Sequence, residues 1–208
     1  MKRRVVVLCV VLVSSLAGCS SLFGETTFPA GEATVAEPAL SETGYEMVTV
    51  STRTVTRGVG AGAASRSVAV ELNTAVYRRS PGGERPMALP AGLVLTSAPG
   101  VEVGNDTANP LSDVRVGDVV DDADLGYANV SIDEVVGTRK VSVLGAERRV
   151  TRFDGSATEN GSSVNVTVHV TAFEHEGEFL LAVAVYQSRL SERRQIDRLL
   201  AGVRHSAA

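Results

Sequence analysis

Val164, Val166, Val168 and Val170 alternate with Asn165, Thr167, His169 and Thr171, and this period of two constrains the fold more than any other feature of the chain. Successive side chains of a β-strand point to opposite faces, so the pattern predicts a strand with one dry face and one wet face. The same period runs through Val48, Val50, Thr52, Thr54 and Thr56, and again through Val68, Val70, Leu72, Thr74 and Val76. Gly58-Val-Gly-Ala-Gly separates the two runs, which predicts a hairpin over 45–77. The stretch from Phe179 to Tyr186 is apolar on both faces, as a central strand covered above and below requires. Further strands are expected around Leu93-Val-Leu-Thr-Ser and on either side of a turn at Gly145-Ala-Glu.

Near the C-terminus the period changes. Ile196, Leu199, Leu200 and Val203 recur at i, i+3, i+4 and i+7, opposite Arg194, Asp197, Arg198 and Arg204, the spacing of an amphipathic helix laid on a sheet. Ser191 is a good N-cap for it. A short helix is also expected within 109–124. The fold class read from this pattern is α+β: a mainly antiparallel sheet covered by a C-terminal amphipathic helix.

The first eighteen residues have the three parts of an export signal. Lys2, Arg3 and Arg4 precede an unbroken apolar run from Val5 to Val13, and small residues lead to Cys19. Crossing ~30 Å of hydrocarbon takes about 20 apolar residues, and Ser14 and Ser15 interrupt this run well short of that. Leu16-Ala17-Gly18-Cys19 resembles the lipobox of prokaryotic lipoproteins, which implies that Cys19 is lipidated and becomes the first residue of the mature chain. Two acyl chains give stable anchoring where one does not. Arg3-Arg4 fits a twin-arginine signal or a plain basic start, and the export route stays open between them. The expected organisation is a signal peptide over 1–18, the lipidated cysteine with a flexible tether rich in Ser, Thr, Gly, Glu, Ala and Pro over 19–43, and one extracytoplasmic domain over 44–208. The expected address is the extracellular face of the cell membrane.

Both cysteines of the sequence, Cys9 and Cys19, lie in this N-terminal part, so the domain is expected to rely on its apolar core, with no disulfide or thiolate site. Loss of Lys2, Arg3 and Arg4 takes the formal net charge from −4 to −7, which argues against nucleic acid as a partner. The expected partner is the membrane, through the lipid, with a protein or small-molecule partner left open. Lys140 is the only lysine after the signal, and tryptophan is absent. Asn105, Asn129, Asn160 and Asn165 each begin an N-glycosylation sequon. An acidic, arginine-rich chain of this kind suits a high-GC host, either a halophilic archaeon or an actinobacterium.

Val141-Ser-Val-Leu-Gly, Phe153-Asp-Gly, His169-Val-Thr, Leu181-Ala-Val and Leu199-Leu-Ala-Gly-Val resemble segments of an uncharacterised haloarchaeal lipoprotein family. The strand order and terminal helix of the last 100 or so residues are similar in pattern to PsbP-like extracytoplasmic domains. Those resemblances imply a fold and a setting, and no reaction.

No catalytic or metal-binding set emerges from the spacing, and no cofactor is expected. His169 and His175, with Glu174 and Glu176 beside the second, would face one way along an uninterrupted strand, but the first is placed on a solvated face and the second in a turn. His205 falls in the terminal tail. Asp118, Asp121, Asp122 and Asp124 lack the fixed alternation of a calcium loop. Nucleophile elbows, phosphate-binding glycine loops and His-Glu-x-x-His are absent from the sequence. The expected function is a non-catalytic binding or accessory domain; the alternative is a hydrolase or metal-dependent enzyme of the cell envelope, which a deep pocket holding His169 and two carboxylates would favour.

Overall fold

A computed structural model describes residues 27–59, 66–79, 90–103, 106–159 and 161–208. The alternating valines form β10 (Ser162–His175), which lies inside one large sheet together with β3 (Glu46–Val59), β4 (Arg66–Arg79), β5 (Ala91–Pro99), β8 (Ala128–Val143), β9 (Ala146–Glu159) and β11 (Glu178–Gln187). The order is β3-β4-β5-β11-β10-β9-β8, antiparallel throughout. A short β1 (Thr27–Phe28) runs parallel to β4 beside Ala69 and Val70. The expected 45–77 hairpin is β3–β4. Two tight turns carry positive φ at both positions, Leu144-Gly145 before β9 and Glu176-Gly177 before β11, the twist that two-residue hairpin loops favour.

The sheet is covered on both faces, which explains why β5 and β11 are almost wholly buried. On one face Leu93, Leu95, Ala184 and Tyr186 meet α1 (Glu37–Thr43) through Leu40 and α3 (Arg193–Ala201) through Ile196, Leu199 and Leu200. A two-stranded ribbon, β2 (Glu32–Val35) with β12 (Val203–Ser206), adds Val35 and Val203 to that core. The opposite face packs Val94, Val166, Val168, Val183 and Val185 against Val120 of α2 (Val116–Asp122) and the following Leu125 and Tyr127. β6 (Val101–Val103) and β7 (Asp106–Ala108) form a further small ribbon.

The α+β expectation is overturned: the protein is mostly β. Among the described residues the three helices span seven, seven and nine residues, whereas six of the main strands run to ten residues or more. The C-terminal helix does cover the sheet, but it stops at Gly202 and Val203 opens a strand instead of a further helical turn. The i+7 spacing of Val203 satisfied a helix and a strand equally, because both bury it. Order also begins before residue 44: β1, β2 and α1 come from the segment expected as tether, and Val35 and Leu40 are core residues.

Candidate functional site

The sheet face carrying α2 is not closed at its β3–β4–β5 end. Between these strands and α2 runs a groove with a cavity volume of about 740 Å³. Alternation dictates its floor, since Leu72, Thr74 and Val76 of β4 share a face and Val94 and Thr96 of β5 continue it. The opposite wall is α2 with Val119, and Leu111 and Val114 of the segment before it. Asp113, Asp118, Asp122 and Asp124 lie along the α2 side, and Arg53 and Arg78 along the strands. Arg53 reaches across to Asp122 at 3.3 Å, an exposed pair. At the edge strand Met47, Val48 and Val50 are large apolar side chains left in solvent.

His169 does not lie on a solvated face. It is only 2% exposed, with Arg139 of β8, itself bonded to Asp197 of α3, and Tyr186 of β11 against its ring. Arg139 Nη1 lies 2.9 Å from its Nδ1, and its Nε2 lies 3.0 Å from the Tyr186 hydroxyl. A guanidinium only donates, so Nδ1 accepts and Nε2 carries the proton. Burial, reinforced by Arg139, Arg152 and Arg193, lowers the His169 pKa to about 3. Arg139 also donates to Asp197 of α3 at 2.7 Å. Arg139, Arg152 and Arg193 line a small hollow of about 160 Å³. Among the described residues the hydrogen-bond partners of His169 are thus an arginine and a tyrosine, not a pair of carboxylates.

His175 ends β10, and its ring stands 5.5 Å from that of His205, edge to face. Pairing of His169 with His175 along the strand is replaced by pairing of His175 with a residue thirty positions away. His205 is not in a tail: β12 pairs it with Ala33 of β2. No sequence period signals that return, since β12 is four residues long.

Asn129 and Asn165 are exposed, the first with a positive φ. Asn105, Asn160 and Cys19, with the signal segment 1–18, lie outside the described residues. Of the acidic run, Asp118, Asp122 and Asp124 border the groove. Among the described residues no helix is long and apolar enough to cross a membrane.

No curated protein matches the sequence. Among solved structures the chain is similar to LpqN, involved in cell envelope biogenesis of Mycobacterium tuberculosis, at 12% identity and a TM-score of 0.32, over 78% of this chain and 90% of that one. It is also similar to cyanobacterial PsbP (CyanoP) from Synechocystis sp. PCC 6803, at 12% identity and a TM-score of 0.31, over 92% of this chain and 99% of the other. Scores of this size carry no argument about fold or activity. A family profile described as a domain of unknown function matches residues 32–204, which takes in the groove, His169 and His175 and stops one residue short of His205, and the chain belongs to that family, DUF6517.

Proposed function

We propose that this chain is a lipid-anchored binding domain on the extracellular face of the membrane of a halophilic archaeon, and that its ligand occupies the groove between β3–β5 and α2. The single observation that carries the binding role is the groove itself: about 740 Å³, with Leu72, Val76 and Val94 beside Thr74 and Thr96 on its floor and aspartates and arginines among its lining. Ligand sites are concave clefts of roughly 300–1,000 Å³, and this groove falls within that range. Four carboxylates face two guanidinium groups there, and one of the guanidinium groups is already paired. With Asp118 also paired, to Arg115 at 3.8 Å, that balance favours an amphipathic small molecule with an apolar body over Leu72, Val76 and Val94 and a cationic head near Asp113 and Asp124. The signal segment, Cys19 after small residues, and the exposed sequon asparagines Asn129 and Asn165 support the address.

Octylammonium and octanoate, matched in length and opposite in charge, test the groove by calorimetric titration of the full chain in detergent. Octylammonium is expected to bind, octanoate to bind at least tenfold more weakly, and Thr74→Trp, which fills the floor, to abolish both. Equal binding by Thr74→Trp, with its melting temperature unchanged, would place the site elsewhere. Cys19→Ser tests the address independently, because it is expected to move the chain from the membrane fraction to the medium.

A further inference from the structure

At the end of the sheet where the β10–β11 turn meets the β2–β12 ribbon, His175, Glu176 and His205 bring one ligand atom each within 4.8 Å of one another. None of them lines the groove. From this juxtaposition we infer a binding site for a first-row divalent cation of the zinc type, held by two imidazoles and one carboxylate with a fourth position open to water.

His205 carries the argument. Its side chain is fully buried, and its Nε2 lies 3.0 Å from Oε2 of Glu178. Glu178, itself 5% exposed, accepts the Gly31 N–H at 2.8 and 2.9 Å and the Ala208 N–H at 3.0 Å. With backbone N–H groups donating to both of its oxygens, this carboxylate acts as an acceptor, so the Nε2 of His205 donates to it. The lone pair of His205 is thereby placed on Nδ1, and that atom is buried with no hydrogen-bond partner. A buried nitrogen acceptor left unpaired is costly, and a metal ion supplies the missing partner. Ligating histidines are held in the same way, with the second ring nitrogen donating to a carboxylate that fixes the tautomer. Glu178 is a positioning residue here and not a ligand.

The other two ligands suit this reading. His175 is half-buried, its Nε2 4.0 Å from Oε1 of Glu176. Zinc binds nitrogen and carboxylate oxygen at about 2.0–2.2 Å, which for a tetrahedral ion sets ligand atoms roughly 3.4 Å apart. Glu176 is exposed at the tip of a two-residue turn, so its side chain is free to swing inward and shorten these distances. Two imidazoles and a carboxylate with an open position form a donor set that favours zinc and its neighbours over calcium or magnesium. Coordination would also tie β12 to the β10–β11 turn, a link between positions 175 and 205 that no disulfide can make in this chain.

The test is calorimetric titration of the metal-stripped full chain with Zn²⁺, paired with thermal melts in EDTA and in Zn²⁺. One equivalent is expected to bind, and the melting temperature to rise with Zn²⁺. His175→Gln and Glu176→Gln, at half-buried and exposed positions, are expected to melt as wild type in EDTA while losing at least tenfold in affinity and the Zn²⁺-dependent rise. Glu178→Gln is expected to weaken binding by about 10–100-fold by freeing the His205 ring. Should His205→Gln fail to fold, the first two variants still decide. Absence of stoichiometric binding tighter than about 100 μM, or wild-type affinity in His175→Gln, would overturn the site.

Discussion

Arg139 donates to Nδ1 of His169 across 2.9 Å, so a histidine on a strand face that the sequence marks as wet is fixed in its neutral form inside the protein. The unfolded chain protonates that ring near pH 6.5, whereas the folded chain resists until about pH 3. Between these values the unfolded state binds the extra proton, and stability therefore falls as pH falls. The slope from this one group is at most roughly 1.4 kcal/mol per pH unit. Urea midpoints from pH 7 to pH 4 should decline more steeply for wild type than for His169→Gln. Parallel declines would show that the ring is not held neutral.

The pair Arg79 and Glu192 joins β4 to the start of α3. Glu192 is 2% exposed, and Arg79 Nε donates to its Oε2 at 3.1 Å while the Tyr45 hydroxyl donates to the same atom at 3.3 Å. Burial, with the Glu192 charge beside it, raises the Tyr45 pKa. Removing one partner of such a pair strands a buried charge, at a cost of about 3–5 kcal/mol. Arg79→Met should lose roughly that amount in denaturant unfolding. The double variant Arg79→Met/Glu192→Leu should regain at least half of the loss, and a double variant no more stable than Arg79→Met would refute the stranded-charge explanation.

Gly155 sits in β9 opposite Ile132, where the register of β8 shifts. A methyl group on Gly155 would collide with the carbonyl oxygen of Ser131, which is backbone and cannot rotate away. Gly155→Ala should therefore part β8 from β9 at this point and cost about 1–3 kcal/mol. Amide exchange is expected to rise at Ser131 and Ile132, and thermal melting reads the stability. Unchanged exchange at those two amides would contradict the steric account.

What was legible in the sequence was the strands. Alternation exposed β10 and the β3–β4 hairpin, and the unbroken apolar run of β11 marked a strand covered twice. The α+β class was misread because Val203 fits the helical spacing of Ile196, Leu199 and Leu200 yet belongs to β12. Polarity misplaces His169: Thr167, His169 and Thr171 read as solvent-facing, but all three are buried. Whether a polar face is covered depends on distant elements, which strand periodicity does not encode. The approach of His205 to His175 was illegible for the same reason, since it depends on β12 returning to pair with β2. The groove was half legible: its floor follows from the alternation of Leu72, Thr74 and Val76, and its wall depends on where α2 docks.

Native mass spectrometry of the full chain, released from its own host's membranes by mild detergent, tests the tethered binding domain most directly. The expected spectrum shows a covalent lipid on Cys19 and one small amphipathic molecule held without a covalent bond, the second lost in Thr74→Trp and the first retained. A chain with a bare Cys19 thiol, or with the same small-molecule content in wild type and Thr74→Trp, would contradict it.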